Sequence, residues 1–176
     1  SQIGDGTNVD RLVPTQVGIE NNWKTVSGGG GHVLALKTDG TLSAWGWNLN
    51  DQFGDGTNMS HNIPKKVGVD TDWQSVDAGQ RHTFAIKTNG TLWGCGLNAF
   101  GQVGDGTLVQ KISFVQIGNN NNWHNIKGGG AHSAAVKSDG TLWTWGQNDK
   151  GQLGDGTLTN KSVPTQIGSD TNWMSV

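Results

Sequence analysis

Apolar residues fall in short blocks along the chain, too short for helices, and the blocks recur in a fixed order. His32-Val33-Leu34-Ala35-Leu36-Lys37 leads through Thr38-Asp39-Gly40 into Thr41-Leu42-Ser43-Ala44-Trp45-Gly46. The order returns around Thr83-Phe84-Ala85-Ile86 with Asn89-Gly90, and a third time with Asp139-Gly140. Asn or Asp before Gly tolerates the positive φ angles of a tight reversal, so each pair of blocks predicts a β-hairpin. Apolar side chains lie on both faces of the first strand of each pair, which predicts that neighbouring sheets cover both. Upstream, a third short strand starts at Trp23, Trp73 or Trp123 and ends in small residues such as those at 28–31. Small residues admit close backbone approach, which places this strand innermost. A fourth strand is expected at residues 63–67, 113–117 and 163–167, with a leading copy at 13–17. Three of these four carry proline, which cannot donate a ladder hydrogen bond, so this strand lies at a sheet edge.

The period is fifty residues, marked by Gly4-Asp5-Gly6-Thr7, Gly54-Asp55-Gly56-Thr57, Gly104-Asp105-Gly106-Thr107 and Gly154-Asp155-Gly156-Thr157. A fixed period means copies of one unit that cannot cover its own apolar faces and must stack. Four-stranded antiparallel sheets repeated about an axis are the blades of a β-propeller. A straight β-solenoid is the alternative, but its repeats are usually shorter and need no hairpin in each. The expected fold is therefore all-β, a partial propeller arc of about 3.5 repeats. It forms a single segment, 1–176, divided into a half repeat 1–26 and full repeats 27–76, 77–126 and 127–176. Three complete blades are expected, flanked by the leading edge strand and a trailing inner strand from Trp173.

Composition narrows the chemistry. Twelve Lys and Arg against 14 Asp and Glu leave no basic footprint, so no nucleic-acid partner is expected. The 29 glycines recur in register between apolar blocks and read as turns, not disorder. One cysteine, Cys95, excludes an internal disulfide and a cysteine-based metal cluster. It stands where other copies have Trp45 and Trp145, and reads as a small buried strand residue. No stretch approaches the roughly 20 apolar residues of a membrane-spanning helix, and no signal-peptide pattern is visible, so membrane insertion is not expected.

Recurring polar residues invite functional readings that the spacing weakens. His32, His82 and His132 share one position, but radial copies of a position sit too far apart for a shared ion with bonds of roughly 2 Å. They are expected to bond a neighbouring turn. Each Gly-Asp-Gly-Thr aspartate is a single carboxylate without the spaced acids of a calcium loop, and reads as an Asx turn. Lys37, Lys87 and Lys137 read as solvated rim side chains. No serine or cysteine is paired with histidine by a motif, and no phosphate-cradling loop opens a helix. The inner strands offer mostly glycine, serine and alanine, which argues against a polar cluster at the axis. No catalytic residue, metal or cofactor is therefore expected. What differs between copies is the long connection from hairpin to edge strand, and loops on a rigid scaffold are where binding is built. Trp47, Leu97 and Phe100 in those connections, with Arg81 beside the repeat histidine, are the candidate partner-binding residues.

The run at 28–42, followed by Trp45-Gly46, Asn48 and the Gly-Asp-Gly-Thr turn, resembles the repeats of the regulator of chromosome condensation family, and residues 78–107 and 128–157 match as well. The resemblance implies a propeller, usually of seven blades, within the common range for such folds. The wealth of Asp, Thr, Asn and Trp is similar to bacterial members, many secreted or surface-attached, which implies an extracellular or cell-surface setting. It implies a non-catalytic module that presents variable loops to a protein or carbohydrate partner, with further repeats of the chain or another copy closing the ring. Strand types do not balance in a two-copy ring, which favours a longer array. The alternative within the family is an enzyme regulator or inhibitor. The resemblance does not extend to the basic extensions of members that exchange guanine nucleotides. In Gly79-Gln80-Arg81-His82-Thr83, Gln80 stands where the plant ultraviolet-B receptor has its sensing tryptophan, which counts against light sensing.

Overall fold

The computed structural model describes residues 2–176. Among them are twelve strands: β1 Trp23–Gly28, β2 His32–Lys37, β3 Leu42–Gly46, β4 His61–Val67, β5 Trp73–Ala78, β6 His82–Lys87, β7 Leu92–Gly96, β8 Lys111–Gln116, β9 Trp123–Gly128, β10 His132–Lys137, β11 Leu142–Gly146 and β12 Lys161–Ile167. They form three antiparallel four-stranded sheets in chain order, β1 to β4, β5 to β8 and β9 to β12. Repeat boundaries counted from the sequence fall inside β1, β5 and β9, whereas the hydrogen-bonded blades run 23–67, 73–116 and 123–167. No helix among the described residues is long and apolar enough to cross a membrane.

Residues 13–17 and 173–176 do not form the two flanking strands expected of them. A strand exists only through its neighbour, and neither segment has the adjacent hairpin that pairs with its equivalents elsewhere. The interior edge strands do form. In β4 and β12 the proline falls at a register shift opposite β3 and β11, where no ladder bond is lost.

The inner strands meet as expected of an axis. A Cβ on Gly128 would lie 2.8 Å from the Gly79 backbone, so only glycine permits this approach of β9 to the turn after β5. Gln80 donates from its backbone to the Gly129 carbonyl across the same seam at 3.0 Å. Outward from the axis the faces are apolar. Leu34, Leu36, Leu42 and Phe53 of the first blade pack on Trp73, Val76 and Ala85 of the second. Phe84, Ile86, Leu92 and Ile117 of the second pack on Trp123, Ile126 and Ala135 of the third, with Trp145 beside them. Each of the larger side chains contributes about 1.5–3 kcal/mol on burial, which is why one blade cannot stand alone.

The repeat lysines are not solvated, contrary to the sequence reading. Lys87 lies 4.8 Å and 4.9 Å from the Trp73 and Trp93 rings, and Lys137 lies 4.7 Å and 3.7 Å from Trp123 and Trp143. Flanking strands each supply one ring, and the ammonium is held between their faces. Lys37 has Trp23 alone, because β3 carries Ser43 at the second position.

A polar chain also ties each blade to the next. Thr83 donates to the Gln52 carbonyl at 2.6 Å, and Ser133 donates to the Gln102 carbonyl at 2.8 Å. With those hydroxyl hydrogens committed, the hydroxyl oxygens accept from His32 Nε2 at 2.9 Å and His82 Nε2 at 3.3 Å. That fixes both rings as neutral Nε2–H tautomers. Their Nδ1 atoms are buried without a partner. The same Gln52 and Gln102 carbonyls are approached by Cys95 Sγ at 3.7 Å and Trp145 Nε1 at 2.9 Å.

Cys95 is fully buried, and burial pushes its thiol well above the ordinary range. The tryptophan it replaces is compensated locally. Gly104 is covered by the Trp145 ring, whereas Gly54 is covered jointly by Cys95 and Phe114, and Phe114 stands where the other edge strands have proline. The two exchanges are one packing solution. Cys95→Trp alone is expected to destabilise by about 3 kcal/mol through overpacking against Phe114. Adding Phe114→Pro should recover more than about 1 kcal/mol, read as a non-additive double-mutant cycle in urea denaturation.

Burial holds His32 down to about 4, and holds His82 down to about 3 with help from the neighbouring repeat histidines, each from an ordinary 6.5. The unfolded chain takes protons on these rings near pH 6.5 and the folded chain does not, so stability is full above that pH and declines below it. Between pH 7 and 4.5 the urea midpoint should fall steeply, with His32 alone worth roughly 3 kcal/mol once pH reaches its folded value. His82→Gln should flatten the slope in that window; an unchanged slope would show that the rings do not control it.

Candidate functional site

The rim is built by connections 47–60, 97–110 and 147–160, and one buried asparagine organises each. Asn98 Oδ1 accepts from the Val103 backbone at 2.9 Å, while its Nδ2 donates to Asp105 Oδ1 at 2.9 Å and the Thr107 carbonyl at 3.0 Å. Asn48 and Asn148 repeat the pattern with Phe53 and Leu153. Below them the Gly-Asp-Gly-Thr turns are Asx turns. Thr57 and Thr157 donate backbone N–H to Asp55 and Asp155 at 2.9 Å each. Asp155 is lowered to about 2, first by the Thr157 backbone bond and then by its hydroxyl. Lys161 and Lys111 complete the charge balance at Asp155 and Asp105.

On this frame the first connection differs from the others. Trp47 is 55% exposed, and its backbone N–H donates to Gly31 at 2.7 Å. Its ring lies over Gly31, where a Cβ would come within 3.1 Å, so a bare backbone is its platform. Arg81 takes Gly31's position in the second copy and is exposed. Trp47 and Arg81 line one groove of about 460 Å³ with Leu49, Asn50, Gln52 and Gln80. On the other side of the Trp47 and Leu49 ridge lies a shallower groove of about 780 Å³, lined by Ser60, His61, Asn62, Ile63 and Lys65 among others. Leu97 and Phe100 line neither; Leu97 is half-buried, and Phe100 projects from the second connection at 38% exposure.

Sequence reasoning missed three features here. Asp51 has φ 58° where the other copies have Gly101 and Gly151, and its carboxylate accepts from Gln110 of the next connection at 2.6 Å. An acid in a glycine slot was the available signal. Lys65 was read only as an edge-strand residue, and His61 only as part of the variable connection before that strand. At the axis, a polar line does form. Asp77 accepts from Lys127 Nζ at 2.7 Å, the Gly128 backbone at 2.8 Å and Ser27 Oγ at 3.3 Å. Ser27, Asp77 and Lys127 occupy one repeat position, and their groups meet one another as an inter-blade tie. Among the described residues no group of three His, Cys, Asp or Glu could hold a metal ion.

Two family models for the regulator of chromosome condensation (RCC1) repeat match the chain, one over residues 39–86 and 139–176, the other over 23–52, 73–102 and 123–152. The chain belongs to the RCC1 repeat family. No curated protein matches it. Among solved structures it is similar to Prp20p of Saccharomyces cerevisiae, studied for its binding to Gsp1p and histones, at 24% identity and a TM-score of 0.76. That match covers 84% of this chain and 39% of Prp20p. Human WBSCR16 matches at 24% identity and a TM-score of 0.74, covering 84% and 40% respectively. These likenesses establish the RCC1-type propeller fold, of which this chain spans about two-fifths.

In the RCC1 repeats of this chain the asparagine is the keystone of each rim loop. Asn98→Ala leaves the Val103 amide unpaired in the core and frees the turn, and should cost about 3 kcal/mol in urea denaturation. Asn58→Ala, on the exposed part of the first connection, should stay within about 0.5 kcal/mol.

Proposed function

We propose that this chain is a non-catalytic RCC1-type binding module that presents its rim connections to a protein partner. The carrying observation is the exposed Trp47 ring fixed over Gly31, in one groove with Arg81. A large aromatic and an arginine on a rigid rim are the residue types that dominate interface energetics. Prp20p is described as binding Gsp1p and histones, and yeast RCC1 is described bound to Kap60, which supports a protein partner in preference to a carbohydrate. The reading includes the extracellular or cell-surface setting that the resemblance to bacterial members implies.

Further repeats of the same kind complete the arc in this reading. The first blade leaves an apolar groove of about 350 Å³ lined by Val17, Trp23, Val26, Ala35 and Trp45, and Val26 is 64% exposed. An open sheet face of this size is a liability unless another sheet covers it. Phe100, exposed on the next connection, and the half-buried Leu97 are the further candidates in this reading.

The test is capture of a native partner by immobilised protein, quantified by mass spectrometry against matched variants. Trp47→Ala should lower recovery by more than about tenfold, as expected of an interface anchor. Leu158→Ala, on the third connection, should leave recovery unchanged. Equal recovery with Trp47→Ala, Phe100→Ala and the double variant would remove the rim from consideration.

A further inference from the structure

The cations of this chain are almost all spent internally. Arg11 pairs with Asp5, Lys37 with Glu20, Lys87 with Asp70 and Asp72, Lys111 with Asp105, Lys127 with Asp77, Lys150 with Asp149 and Lys161 with Asp155. Lys24 donates to the Gln74 carbonyl, and Lys137 sits between tryptophan rings. Among the described residues, Lys65, Lys66 and Arg81 have neither a carboxylate nor a hydrogen-bonding partner.

Two of those three flank the Trp47 and Leu49 ridge. Arg81 lines the groove on one side and Lys65 the groove on the other. Among the described residues no carboxylate lines either groove. The nearest acid in sequence, Asp51, is buried and engaged by Gln110. His61, which lines the second groove, is held by stacking on Phe53 at 5.9 Å. In a chain of net charge −2, an acid-free strip with a cation on each side of an exposed indole is locally positive. Because the cations lie on opposite sides of the ridge, one compact ligand in either groove meets only one of them. A segment crossing the ridge meets both.

Resting on the reading that the rim binds protein, we propose that the ridge and its two grooves form a docking site for an extended acidic peptide segment. An apolar residue of the segment covers Trp47 and Leu49. Carboxylates on either side of it pair with Arg81 and Lys65, and Gln80, Asn50 and Asn62 lie along the path for main-chain hydrogen bonds. The planar guanidinium suits a bidentate carboxylate, while the ammonium of Lys65 acts as a point charge.

Fluorescence anisotropy with a labelled Gly-Glu-Glu-Leu-Glu-Glu-Gly peptide tests this, with the Gln-for-Glu and Ala-for-Leu peptides as comparisons. The acidic peptide should bind more than about tenfold tighter than its Gln counterpart at low salt, and the difference should shrink with added salt. Arg81→Gln and Lys65→Gln should each weaken binding by about threefold, as expected of exposed charge pairs. Trp47→Ala should weaken it by more than about tenfold. Lys66→Gln, an equally unpaired lysine that lines neither groove, should leave binding unchanged.

Equal binding of the acidic and Gln peptides overturns the proposal. So does an effect of Lys66→Gln as large as that of Arg81→Gln, which would reveal attraction to charge without a site. Binding of an oligouronate with no binding of the peptide overturns it in favour of a sugar ligand. If a captured native protein depends on Phe100 and not on Arg81 or Lys65, this site falls while the rim-binding function stands.

Discussion

A single backbone carbonyl handed from each blade into the next is the interaction on which the rest depends. Gln52 and Gln102 supply it, from just before the Gly-Asp-Gly-Thr turn, and the following blade answers with a hydroxyl and with the Cys95 thiol or the Trp145 indole. The hydroxyl then accepts from the histidine of the preceding blade, so one buried oxygen closes a polar circuit between two sheets. An unpaired carbonyl in that position costs about 1–3 kcal/mol, and the two blades must be in register to avoid it. Apolar packing makes the blades adhere; the carbonyl sets how they sit.

The rim inherits its rigidity from the same place. The connection that delivers the carbonyl is gripped by the buried asparagine at its start and by the Asx turn at its end, so Leu49 between them stands on a fixed base, and Trp47 just before them is held by its own backbone bond to Gly31. Asn48, Asn98 and Asn148, with Gln52, Gln102 and Gln152, repeat from copy to copy because each meets the same backbone groups of its own loop. Side chains facing away differ because nothing in the scaffold constrains them. The division of labour between fold and surface is therefore a division by direction within one short loop.

That division explains what could be read from sequence. Hairpins at Asp39-Gly40 and Asn89-Gly90 carry their own turn chemistry, and the fifty-residue period announced the array. The flanking segments 13–17 and 173–176 share composition with real strands, but pairing is a property of the neighbour and no residue within them encodes it. The lysines were misread for a related reason: Lys87 looks solvent-seeking until Trp73 and Trp93 are known to lie on the strands to either side. Ser27, Asp77 and Lys127 occupy one repeat position, so their mutual bonds become visible only when consecutive copies are placed side by side. Trp47 and Arg81 could be picked as departures from the repeat, but their sharing a groove, and the part played by Lys65, needed coordinates.

One residue gives the array a direction. In the second and third blades Thr83 and Ser133 stand opposite Cys95 and Trp145, and in the first blade Val33 stands opposite Trp45. A sheet that is to receive the His132 ring as β6 and β10 receive theirs must offer a hydroxyl there, and β2 offers two methyl groups. Head-to-tail addition of a second identical molecule would thus bury an imidazole N–H against hydrocarbon. Self-polymerisation is discouraged at the one seam where the chain's own surfaces would otherwise be interchangeable.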